Sequence, residues 1–134
     1  MARRKAKVDD NQPEIVNNVT LPWPPKELNP NQLRRLHWTI RSKKMAEYKD
    51  ACYWLTKEAD MKAVDRPLLV VEFYPPNRRR RDVDNCLAAC KAGIDGMAEA
   101  LGVDDSLLRN YHIKMMDQVG GYVKVRLEVG GCVS

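Results

Sequence analysis

Residues 67–74 (PLLVVEFY) form an almost unbroken apolar run. Such a run suits a central strand buried on both faces. A short basic loop follows at 75–81 (PPNRRRR), and then the clearest helical pattern in the chain. Over 83–101, Val83, Cys86, Leu87, Cys90, Ile94, Met97, Ala98 and Leu101 recur on one apolar stripe. Gly102 supplies the stop. Gly93 and Gly96 inside this helix cost stability, so close packing against another backbone is expected there, a dimer interface being one place for it. The other elements arrange themselves around this strand–loop–helix unit.

Residues 14–21 (EIVNNVTL) read as a first strand, ended by the prolines of LPWPP at 21–25. Residues 26–38 read as a long loop carrying Arg34, Arg35, His37 and Trp38. A helix is expected over 39–62 from the recurrence of Met45, Tyr48, Cys52, Leu55 and Ala59, with Thr39 or Ser42 as its cap. Segments 110–116 and 122–129 read as an antiparallel hairpin, turned by Gly120 and Gly121. In the second of these, Val123, Val125, Leu127 and Val129 alternate with Lys124, Arg126 and Glu128. The order β-α-β-α-β-β implies an α/β (α+β) domain, a mixed sheet with two long helices packed on it. Its span is 13–134, behind a disordered basic arm at 1–12.

The 134 residues suit one domain, and a hydrophobic fraction of 44% sustains a core. A formal net charge of +5 favours a polyanion, either nucleic acid or an anionic membrane surface. Apolar runs are too short to span a bilayer, so no membrane partner is expected. The four cysteines include no CxxC pair. Cys86 and Cys90 share a helix face but lack finger-like partners, so small core residues are expected rather than zinc ligands. No signal peptide opens the chain, and a reducing cytoplasm is the expected compartment. Trp23 and Trp54 are expected in the core and Tyr48 and Tyr53 to pack; Trp38 beside His37 can stack on a splayed base. His37 and His112 read as structural or exposed.

Chemistry concentrates at 78–85, RRRRDVDN, where Arg78, Arg79, Arg80 and Arg81 run into Asp82 and Asp84. Two carboxylates spaced i, i+2 at a strand-to-helix junction can hold a hard cation together with water and phosphate. The cation neutralises a phosphodiester and activates water. Adjacent arginines offset the repulsion that bare carboxylates exert on DNA. The plainer alternative makes Asp82 a helix cap, Asp84 a residue favoured by the helix dipole, and the arginines a solvated loop. A second acidic pair, Asp104 and Asp105, follows the helix in GVDDS. It also admits a capping role. Nineteen helical residues span roughly 28 Å, so the two pairs meet only if the helix is shorter or broken, or if the chain folds back. An EF-hand is excluded, since DVDNCLAACK lacks its glycine and later ligands.

LPWPP at 21–25, RRRRDVDN at 78–85, the Lys-Ala-x-x-Asp segment at 91–95 and VDDS at 103–106 together resemble the RusA family of Holliday-junction resolvases. The likeness runs from about residue 19 to 129. It implies a homodimer that resolves four-way DNA junctions by paired symmetric nicks with Mg²⁺, Mn²⁺ being a possible substitute. It further implies Asp82, Asp84 and Asp105 as metal ligands, with Asp104 as the substitute for the third. A lysine in the helix completes the set, and Lys91 is the only one there. It lies seven residues after Asp84 rather than four, which keeps the face but lengthens the reach by about 4.5 Å. Arg78, Arg79, Arg80, Arg81, Arg34 and Arg35 are the expected DNA contacts. A dimer also matches the twofold symmetry of a junction cut on opposite strands. The alternative reading is a non-catalytic DNA-binding regulatory module.

Overall fold

The computed structural model describes residues 17–64, 66–103 and 110–129. In chain order it contains β1 (Asn18–Pro22), a 3-10 turn (Lys26–Leu28), the single-turn α1 (Pro30–Leu33), α2 (Trp38–Glu58), β2 (Pro67–Tyr74), α3 (Val83–Leu101), β3 (Asn110–Met115) and β4 (Tyr122–Val129). The sheet is mixed, with strand order β1-β4-β2-β3. β4 runs antiparallel to both β1 and β2, whereas β3 runs parallel to β2. The expected basic arm at 1–12 and the pair Asp104 and Asp105 lie outside the described residues. Among the described residues, no helix is long and apolar enough to cross a membrane.

Alternation along the strands decides where the core lies. Val19 and Leu21 of β1, Leu69, Val71 and Phe73 of β2, and Val123, Val125 and Leu127 of β4 enter one cluster with Tyr48 and Cys52 of α2 and Cys90, Ile94 and Met97 of α3. Both long helices therefore lie on this face. On the opposite face Val70 is still only 2% exposed. There Tyr74 stacks on Tyr122 at 4.7 Å between centroids, and Arg126 bridges Glu72 (3.4 Å) and Glu128 (2.7 Å). The burial of β2 on both sides thus comes from cross-strand side chains on one face and from helices on the other.

The expected hairpin of 110–116 with 122–129 does not form. β2 sits between the two strands, because a strand apolar along its whole length is best served by two neighbours. The glycines still mark a turn, but it wraps the end of β2. Met116 N–H donates to the Phe73 carbonyl (2.9 Å), Gly120 N–H to Pro75 (2.8 Å) and Gly121 N–H to Tyr74 (2.7 Å). Gly121 has φ +83°, which a side chain would strain.

Other expectations also shift. The loop at 26–38 contains the 3-10 turn and α1, the latter started by Asn29, whose side chain accepts from Asn31 N–H, with Pro30 at the first helical position. α2 ends at Glu58, short of 62, and its cap is His37, not Thr39 or Ser42. The His37 ring accepts from Thr39 N–H at 3.2 Å. Its inward side is Tyr48, Cys52 and Thr56. Met45 is 41% exposed, and Trp54, expected in the core, is 57% exposed. Thr56 takes the buried position by donating its hydroxyl to the Cys52 carbonyl (2.8 Å), so its polar atom is satisfied.

The costly glycines of α3 are explained within the chain. A Cβ on Gly93 would meet the Tyr48 ring at 2.7 Å and Cys52 Sγ at 2.8 Å, and one on Gly96 would overlap the Lys49 carbonyl. α2 and α3 therefore approach backbone to backbone. Cys52, Cys86 and Cys90 are buried free thiols in this region. Tyr48 donates its hydroxyl to the Pro22 carbonyl (2.7 Å), and its oxygen lies 3.7 Å from Cys90 Sγ. Burial pushes Cys52 up to about 12 and Cys90 up to about 11. Both thiols are thus neutral at physiological pH and inert. A thiol-specific reagent at pH 8 is expected to leave Cys52 and Cys90 unmodified until the protein unfolds. Because the folded state holds these protons more tightly, stability should fall as pH rises from about 9 towards 12. Denaturant midpoints across that window check the sign, and stability that rises there contradicts it.

Candidate metal and nucleic-acid site

β2 delivers the chain to the Pro75–Arg81 loop, and α3 begins directly after it. Asp82 is the N-cap of α3, with Oδ1 accepting from Asp84 N–H at 2.9 Å. The capping role foreseen as the plainer alternative is therefore realised for one oxygen of Asp82. Its second oxygen and the whole Asp84 carboxylate remain at an exposed helix start. Two hard oxygen donors beside open solvent suit Mg²⁺, which binds through one or two carboxylates and keeps several waters. The electrostatic setting is unusual for a cation. Four arginines precede the two acids in the chain, and the positive end of the helix dipole faces them. A polyanion joining the site would offset that positive charge and favour a cation.

The arginines are not equivalent. Arg81 Nη1 donates to the Asn77 carbonyl (3.1 Å) and the Arg79 carbonyl (3.0 Å), while Nη2 donates to Asn77 Oδ1 (3.0 Å). Its guanidinium stands 5.5 Å from the Trp23 ring centroid, and Trp23 packs edge-on against Phe73 of β2 at 5.8 Å. Arg81 thus ties the loop to the proline-rich strap at 21–25 and has few donors left for phosphate. Arg78, Arg79 and Arg80 are exposed and carry no side-chain hydrogen bond among the described residues. Replacing Arg81 with Lys keeps the charge but removes the fork. Tryptic cleavage after Arg78–Arg80 in the folded protein should then rise about ten-fold, the scale of losing one or two charge-assisted bonds. An unchanged rate contradicts the latch.

Lys91 lies on the exposed side of α3, 3.7 Å from Asp95 in an i, i+4 ion pair. α3 runs unbroken from Val83 to Leu101 and closes on Gly102 in the left-handed region, φ +74°. The two glycines therefore do not break it, and its ends are roughly 28 Å apart. β3 starts beside Leu68, at the end of β2 remote from Asp82. Asp104 and Asp105 fall between that helix end and β3, outside the described residues. Among the described residues, no group of three or more His, Cys, Asp or Glu converges on one point.

Arg34 and Arg35 are exposed, and Arg34 donates to Asn31 Oδ1 (3.0 Å). Trp38, 64% exposed, stacks on His37 at 5.9 Å. Sequence reasoning missed Asn77, whose carbonyl and side chain receive Arg81. It also missed a cleft of about 530 Å³ between the strap and the start of α3, which Trp23, Gln32 and Asn85 help to line. The cluster of prolines at 22–25, rigid and placed before a loop, was the available signal for that cleft.

No family model matches the chain. It is similar to an uncharacterized protein of Xylella fastidiosa, 40% identical over 95 residues, a match covering 67% of this chain and 61% of that relative's length.

Proposed function

We propose that the chain is a divalent-metal-dependent endodeoxyribonuclease of the RusA type that resolves four-way DNA junctions as a homodimer. The observation that carries this reading is the start of α3, where Asp82 and Asp84 stand beside three uncommitted arginines. That combination suits a metal bridged to a phosphodiester, since the arginines supply the positive charge that draws DNA to two acids. When bound, Mg²⁺ would neutralise the phosphate and supply a water of lowered pKa. Asp82 and Asp84 would hold it. Arg79 and Arg80 would hold the flanking phosphates, and Arg81 would keep their loop in place. Lys91, or an arginine, would stabilise developing charge.

The unbroken α3 bears on the dimer. Within one chain, Asp105 lies three residues past Gly102, a reach of about 11 Å, too short to return along a helix of roughly 28 Å to Asp82 and Asp84. Two copies related by a twofold axis with their α3 helices antiparallel set the start of one helix beside the end of the other. The same axis would match a junction cut on opposite strands.

One observation favours a second reading, a DNA-binding module without catalysis: Asp82 already caps α3. Incubation with a synthetic four-way junction and with linear duplex, with and without Mg²⁺, separates the two. The nuclease reading expects paired nicks in the junction only when metal is present. Salt-sensitive binding with no cutting in Mg²⁺ or Mn²⁺ supports the module instead.

A further inference from the structure

The cleft between the strap and the start of α3 holds about 530 Å³, within the range of small-ligand sites. Asp82 is one of its lining residues. One wall is apolar and partly aromatic, from Trp23 and the strap prolines. Two amides also line it, Gln32 of α1 and Asn85 in the first turn of α3, and neither has a hydrogen-bond partner among the described residues. The neighbouring Asn29 and Asn31 are committed, one to the helix cap and one to Arg34. Lys26, Arg79 and Arg80 bring positive charge to the same cleft.

We propose that this cleft receives one nucleobase of the DNA, extruded next to the phosphate to be cut beside Asp82, and that Gln32 and Asn85 read its edge. A flat, uncharged heterocycle attached to a phosphate meets each part of the lining. The ring lies along Trp23 and the prolines, the amides donate and accept at the base edge, and the cations hold the phosphates. Because Asp82 belongs to the same lining, the nucleotide beside the cut is the one within reach. This inference rests on the nuclease reading for the position of the cut, though not for the binding of the base. Its consequence is a base preference at the cleavage site.

The test uses the full-length protein and four-way junctions that differ at single positions around the branch point. In EDTA, making one such position abasic should weaken binding by wild type about ten-fold, the scale of one well-made base contact. The double variant Gln32→Ala/Asn85→Ala should show less than about a two-fold difference between the same two junctions. Gln32→Ala alone, at an exposed site, serves if the double variant does not fold. In Mg²⁺, wild type should cut at rates that vary about ten-fold with the base, and the variants should flatten that spread. Equal binding of intact and abasic junctions by wild type overturns the base pocket, as does a base dependence unchanged in the variants. Even cutting of all sequences removes the pocket and leaves the nuclease. Base-dependent binding without cutting removes the nuclease and leaves the pocket.

Discussion

Asp82→Asn and Asp84→Asn should each lower Mg²⁺-dependent junction cleavage by at least about 100-fold, because even groups one step removed from a metal's ligands cost 10- to 100-fold. The choice of asparagine matters at Asp82. Asn caps a helix as well as Asp does, so the bond to Asp84 N–H survives. Only the charge facing the helix dipole is lost, worth about 0.3–1 kcal/mol. Asp82→Ala removes cap and charge together and costs about 1 kcal/mol more. A residue that merely caps α3 makes Asp82→Asn nearly silent and Asp82→Ala destabilising. A metal ligand makes both inactive, while the second is the less stable of the two by about 1 kcal/mol. Cleavage rates beside unfolding midpoints for the same variants decide between these, and full cutting by Asp82→Asn or Asp84→Asn rejects the assigned site.

Gly96→Ala should destabilise the fold by about 2 kcal/mol and lower the melting temperature by roughly 5–10 °C. In an exposed helix the same change stabilises by about 1 kcal/mol, so the sign is diagnostic. The added Cβ would overlap the Lys49 carbonyl, which is backbone and cannot rotate aside. α2 and α3 must then part, loosening Tyr48, Cys52 and Cys90 between them. A melting temperature that stays or rises contradicts the backbone-to-backbone approach of the two helices.

Much of the fold was legible because its strongest elements carry a clean period or an unbroken apolar run. The span 67–74 reads as a strand and 83–101 as a helix in both sequence and structure. The strand 122–129 agrees likewise. What failed was pairing. Two strands close in sequence suggested a hairpin, yet local spacing carries no information about the third strand that enters between them, and β2 outcompetes β3 as the neighbour of β4. α2 was legible as a helix but poorly so in its faces. Its buried side includes Thr56, whose hydroxyl bonds the backbone, while Trp54 faces solvent. Size and hydrophobicity alone point the other way for both residues.

At the site, RRRRDVDN was visible as a concentration of charge, but the division of labour within it was not. Arg81 differs from Arg78–Arg80 through Asn77, the Arg79 carbonyl and Trp23, and the last comes from a segment more than fifty residues earlier in the chain. Gln32 and Asn85 are ordinary polar residues in the sequence, and only the packing of the strap against α3 brings them to one cleft.

On the proposed function, Asp82 and Asp84 grip a divalent cation once DNA phosphate has joined the arginines. Mn²⁺ uptake followed by electron paramagnetic resonance, on wild type and on Asp82→Asn/Asp84→Asn, with and without a bound four-way junction, tests it most directly. Weak uptake by free protein, clearly tighter uptake by the wild-type complex, and none above the DNA background in the variant complex are expected. Equal uptake by the wild-type and variant complexes would contradict that grip.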